Sequence, residues 1–148
     1  MAENWEELNQ KTIELLQSGQ AEAAVAAAQE AVAHARERGA KEDVDVSLNN
    51  LGEVCQAAGD LPGAEAALKE SLELERELYG EHDLRQVDAI YSLAGIYVAT
   101  ERFGLAQEQL KRAVELMAVR PRAILRVERV ALEPGAVADL TVDTASHH

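Results

Sequence analysis

The chain has 148 residues, a formal net charge of −13 and only 3% aromatic residues. That length suits one domain of ordinary size, and the wealth of alanine, glutamate and leucine favours long helices over a sheet sandwich. Residues 1–118 carry 23 acidic and 10 basic side chains, whereas the last 30 residues are balanced. The array therefore lacks the basic face that nucleic acid or an anionic membrane would require. Cys55 is the single cysteine, which excludes an internal disulfide and a cysteine metal cluster. No run of 18 apolar residues and no basic-then-apolar start occurs, so a soluble, cytoplasmic protein is the default expectation.

Taken in chain order, apolar spacing and turn residues predict three helix pairs. The first is Asn4–Gln17 and Gln20–Arg38, separated by Ser18-Gly19. Its second helix holds nine alanines in Ala21–Ala35, so it packs closely but buries little area per residue, and this pair is expected to be the least stable. The second pair is Val44–Ala58 and Leu61–Tyr79 across Gly59-Asp60, with Pro62 tolerated in the first turn. The third is Leu84–Thr100 and Phe103–Ala118, with Glu101-Arg102 where the other pairs have glycine, which should specify this turn less sharply. Between pairs lie Gly39–Glu42 and Gly80–Asp83, and Asp43 and Asp83 are candidate N-caps.

These pairs are copies of one another. Leu48, Leu51, Gly52, Cys55, Ala64, Leu68 and Leu72 recur 42 positions later as Ile90, Leu93, Ala94, Tyr97, Ala106, Leu110 and Val114. A fainter copy, about 40 positions earlier, is Leu8, Thr12, Leu15, Gly19, Ala24, Ala28 and Val32. Self-similarity at this period means stacked helical hairpins, an all-α solenoid that presents a surface rather than performing chemistry. Gly52 and Ala94 are small where the two helices of a pair meet, opposite Ala64 and Ala106, and larger residues there would overpack the core.

The pattern resembles the tetratricopeptide repeat over residues 4–118, with repeats at about 4–40, 43–82 and 84–118. The Leu48–Gly52 run, the 42-residue spacing and Glu77–Asp83 are similar to the kinesin-light-chain-like type. The chain departs from that type in its inter-repeat loop, where Leu84 holds the proline position. The resemblance implies a protein–protein interaction scaffold, not an enzyme, with a groove lined by the first helix of each pair. Carried over by position, a peptide-binding groove would include Asn9, Ile13, Leu16, Val46, Asn49, Asn50, Glu53, Gln56, Asp88, Tyr91 and Ser92, with Glu6 and Gly95 beside them.

Asparagine amides both donate and accept, so they suit the backbone of an extended ligand; they suit contacts between helices equally. Glu53 and Asp88 would favour a partner with basic residues, or are simply solvated. The matching positions lack lysine and arginine, so an anionic carboxyl terminus is not the expected ligand. No cofactor is expected. The alternatives are a small acidic chaperone for a partner protein and a self-associating structural module, a homodimer without ligand.

Histidine offers little. Glu30 and His34 are four apart on one helix, too few ligands for a metal, and His82 sits in a loop between Glu81 and Asp83. Glu70, Glu73 and Glu77 read as a solvated helix face.

Residues 119–148 form a tail outside the repeats, locally basic through Arg120, Arg122, Arg126 and Arg129. Two readings compete for it. One is a helix over Arg122–Ala131 that caps the array; the other is a hairpin of Leu125–Leu132 and Val137–Val142 around the turn at Glu133–Ala136.

Overall fold

A computed structural model describes residues 3–131, with side chains described as far as Ala118. Among the described residues, six α-helices and no strand make up the fold: α1 Trp5–Gln17, α2 Ala21–Arg38, α3 Lys41–Ala58, α4 Leu61–Tyr79, α5 Gln86–Ala99 and α6 Phe103–Ala131. The chain divides into a compact unit ending at Ala113 and a second beginning at Val114, within α6.

In the first unit α1 packs on α2, α2 on α3, α3 on α4 and α4 on α5, and α1 also meets α3, so the first helices of the first two pairs stand side by side. This is an all-α solenoid of helical hairpins. Its core is continuous from one hairpin to the next. Val32 and Ala35 of α2, Val44 and Leu48 of α3 and Ala67 of α4 form one buried cluster, with Trp5 and Leu51 packed against it. A second joins Ala24 and Ala28 to Val54, flanked by Leu15 and Leu16.

The turns follow from local chemistry. α1 opens with a capping box: Glu7 N–H donates to Asn4 Oδ1 at 2.8 Å while the Glu7 carboxylate accepts from Asn4 N–H. At the end of α3, Gly59 takes the left-handed conformation at φ 81°, which costs a residue without Cβ nothing. Asp60 Oδ1 then accepts from Gly63 N–H at 3.0 Å and starts α4.

Two expectations need correction here. Gly39, at φ 68°, completes the first inter-repeat turn almost alone, and the Ala40 N–H donates back to the Ala35 carbonyl at 3.2 Å. α3 therefore begins at Lys41, and Asp43 lies in its first turn, where Glu42 and Asp43 favour the positive end of the helix, rather than acting as N-cap. α5 begins at Gln86, not Leu84. Asp83 Oδ1 accepts from Arg85 N–H at 2.9 Å and holds 83–85 in a turn. The buried Gln86 then donates its amide to the carbonyls of Gly80, Glu81 and Asp83, tying down the loop that lacks the usual proline. At the crossing of α3 and α4, a Cβ built on Gly52 would lie 2.8 Å from Leu68 Cγ.

The third turn is also more specific than its sequence suggests. Glu101 adopts φ 59°, a left-handed conformation that non-glycine residues rarely take. Arg102 fastens it: its guanidinium bonds Glu65 of α4 at 2.5 Å, lies 4.7 Å from the Tyr97 ring centre, and its Nε donates to Thr100 Oγ1 at 2.9 Å. Bonds from Arg102, then Lys69, hold the Glu65 carboxyl down at about 2.

α6 runs through position 121 to Ala131, so the helix expected over Arg122–Ala131 is present without a separate start. The strand at Leu125–Leu132 is not formed, since residues 125–131 continue the helix. The turn at Glu133–Ala136 and the strand Val137–Val142 lie outside the described residues, as do the side chains of Arg120, Arg122, Arg126 and Arg129.

Candidate functional site

Polar side chains converge where α3, α4 and α5 meet. A cavity of about 550 Å³ opens there, lined by Asn49, Asn50, Glu53 and Gln56 of α3, Leu68 and Glu75 of α4, Arg85 at the start of α5, and Asp88, Ala89 and Ser92 of α5. Six of the groove positions carried over from the repeat pattern therefore share one space: Asn49, Asn50, Glu53, Gln56, Asp88 and Ser92. They do so because steps of three and four residues keep them on one face of their helices.

The other five lie elsewhere. Ile13, Val46 and Tyr91 are each more than 40% exposed on α1, α3 and α5, outside the cavity wall. Asn9 is buried and accepts from the Asn50 amide at 3.4 Å. Leu16 is half-buried against the Ala24, Ala28 and Val54 cluster, because the small alanines of α2 leave room for it.

The asparagines are tied into the scaffold. The Asn49 amide donates to Ser71 Oγ at 2.8 Å, to the Asp45 carbonyl at 3.1 Å and to Asp45 Oδ1 at 3.3 Å. Ser71 in turn donates to Asp45 Oδ1 at 2.6 Å. Asp45, Ser71 and Glu75 are all buried, so a polar layer runs through the interior of the second hairpin.

Its outer member is Glu75. The residue is 4% exposed, lies on the cavity wall, and its Oε1 has no hydrogen-bond partner. Burial pushes its carboxyl up to about 8, reinforced by the charge of Asp45 and a hydrogen bond between the two carboxyls, and opposed by a bond from Asn49. Asp45 is raised as well, by burial, with bonds from Ser71 and Glu75 acting the other way. Two carboxyls in one dry layer cannot both ionise cheaply, so they hold a proton between them at neutral pH.

Glu75 and Arg85 were missed from sequence. Glu75 lies in a run of acidic residues that reads as solvated, yet Leu68, Ser71, Leu72 and Glu75 recur at steps of three and four along the buried stripe of α4. The repeat register holds the same signal. The positions matching Ser71 and Glu75 are Ala31 and Ala35 in the first hairpin, both fully buried, and Ala113 and Met117 in the third copy. Arg85 enters from the helix start rather than the helix face, and stacks on Tyr79 at 3.9 Å from the ring centre.

Among the described residues no group of three or more histidine, cysteine or acidic side chains is arranged to hold a metal ion, and no helix is long and apolar enough to cross a membrane. Cys55 is buried, and burial raises its thiol.

No curated protein matches the chain. The family profile of the tetratricopeptide repeat matches residues 43–118, from α3 into α6, and its repeats are generally protein–protein interaction modules. Hairpins stacked in sequence order, glycine turns and a match over just over half the length lead to one conclusion: the chain belongs to the tetratricopeptide repeat family.

Proposed function

We propose that the protein is an interaction scaffold that binds an extended peptide or protein segment along the face formed by α1, α3 and α5. The observation that carries this reading is the cavity in which Asn50, Glu53, Gln56, Asp88 and Ser92 converge, with exposed Val46 and Tyr91 on the same two helices. Open polar groups for a ligand backbone beside apolar side chains for its residues are what recognition of an extended segment requires. Glu53 and Asp88 are both exposed and make the wall predominantly acidic, which favours segments bearing lysine or arginine.

The test is a pull-down from native lysate with the wild type and a variant carrying Asn50→Ala, Asp88→Ala and Tyr91→Ala. Asn49 is left intact because its amide supports Ser71 and Asp45. Loss of a partner from a variant of unchanged helicity supports the groove. Retention of every partner contradicts it, as does the absence of any partner.

A further inference from the structure

Ordinary repeat packing does not require the polar layer of the second hairpin, since the equivalent α2 positions are filled by Ala31 and Ala35 at 0% exposure. Yet the layer ends on a cavity, with one carboxylate oxygen of the 96% buried Glu75 left without a donor. A buried acceptor without a donor is costly in a folded chain unless something supplies one.

The surroundings define what that something is. Facing Glu75 are Asp45, Asn49 and Glu53 from α3, Asp83 from the loop, and Arg85 and Asp88 at the start of α5. All the charged groups except Arg85 are acidic. Arg85 is occupied elsewhere, stacked on Tyr79 and paired with Asp83 at 3.4 Å. A donor of positive charge, long enough to enter a cavity of about 550 Å³ and slim enough to pass between helices, fits this wall.

We propose that this cavity is a receptor for one lysine or arginine side chain of the bound segment, whose cationic head pairs with the Glu75 carboxyl group. The inference rests on the groove reading above and names the ligand chemistry of its centre. Before binding, one proton serves the two carboxyls. On binding, the incoming cation takes over the neutralisation, the proton leaves to solvent, and Asp45 keeps its bonds from Ser71 and Asn49. Binding therefore tightens as pH rises towards the alkaline limit of the pair, because less work is needed to remove the proton.

The experiment uses the full chain and three probes: the acetyl methylamides of arginine, lysine and norleucine, the last a neutral analogue of lysine. Amide NMR titrations follow Asn49, Glu75, Ala89 and Ser92. The expected result is saturable shifts with a cationic probe and none with norleucine, at least tenfold weaker in Glu75→Gln, severalfold tighter in Arg85→Ala, and tighter at pH 7.5 than at pH 6. The ratio of arginine to lysine affinity separates a guanidinium site from an ammonium site. Equal shifts from norleucine, undiminished binding by Glu75→Gln, or affinity unchanged by pH would each overturn the proposal. Glutamine keeps the shape of the side chain and removes a buried ionisable group, so a folded variant is expected, and its melting curve checks this.

The two readings fail separately. If Glu75→Gln captures the groove partner as well as wild type, the anchor is overturned and the groove stands. If a cationic probe binds wild type and not Glu75→Gln, while no partner is ever captured, the anchor is supported and the groove reading fails.

Discussion

The first and second hairpins have the same helical outline but opposite interiors. In the first, the buried stripe of α2 is built from alanine: Ala24, Ala28, Ala31 and Ala35 are all 0–1% exposed, and no charged residue of α1 or α2 is buried. Between α3 and α4 the same layer holds Asp45, Asn49, Ser71 and Glu75. The first shows what the repeat needs in order to close. The second carries, in addition, two buried carboxyls that the fold would be more stable without, and they lie beside the cavity where the groove side chains meet. A burden present in one copy and absent from its neighbour points to use rather than architecture.

The largest expected effect makes the second hairpin more like the first. Glu75 has an ordinary carboxyl range when unfolded and is raised to about 8 when folded, so the folded chain holds the proton more tightly. Its favourable contribution is intact below pH 4.5 and is lost as pH rises through 8, by up to about 1.4 kcal/mol per pH unit. Glu75→Gln removes that dependence. Denaturant unfolding should find the variant more stable than wild type at pH 8, on the order of 3 kcal/mol, with the gap closing near pH 5. A constant gap across that range would separate stability from the carboxyl.

Gly52→Leu probes the other side of the same hairpin. The added side chain meets Leu68 where even a Cβ is too close, and about 2 kcal/mol of destabilisation is expected from overpacking. The equivalent residue of the first hairpin is Thr12, whose hydroxyl donates to the Leu8 carbonyl.

Trp5→Phe tests how the alanine-rich hairpin is held to its neighbour. The indole N–H donates to the buried Ser47 Oγ at 2.7 Å, and losing it should cost about 1 kcal/mol. Hydrogen exchange should show the loss concentrated in α1 and α2, because stability in stacked repeats is local. Uniform loss of protection would mean that the array unfolds as one. The smallest effect concerns the third hairpin: Glu101→Gly relieves the left-handed backbone at φ 59° and should stabilise by about 0.5–1 kcal/mol in thermal unfolding.

Much of the architecture is legible in the sequence because it repeats. Glycine after each of the first four helices, small residues at the crossings and apolar steps of three and four place five of the six helices to within three residues at each end; α6 overruns its expected end by 13. The helix starts near Asp43 and Asp83 were misplaced because an aspartate before an apolar run reads as a cap. Whether it caps depends on where the preceding glycine turn ends, which is a matter of backbone geometry. Six of the eleven positions carried over from the repeat line one cavity, since Asn50, Glu53 and Gln56 repeat the register of a first helix. Glu75 was not legible. Its neighbours Glu73 and Glu77 are exposed, and only its phase on α4 separates it from them. Arg85 was hidden for another reason: it reaches the cavity from a loop, where no periodicity applies.

The most direct measurement is a carbon-13 NMR titration of the Glu75 side-chain carboxyl, assigned by comparison with Glu75→Gln. The account predicts a midpoint raised to about 8 in the free protein, falling when the arginine or lysine probe is added. A midpoint in the ordinary carboxylate range, unmoved by either probe, would show an ionised and solvated Glu75 and would contradict the role assigned to the second hairpin.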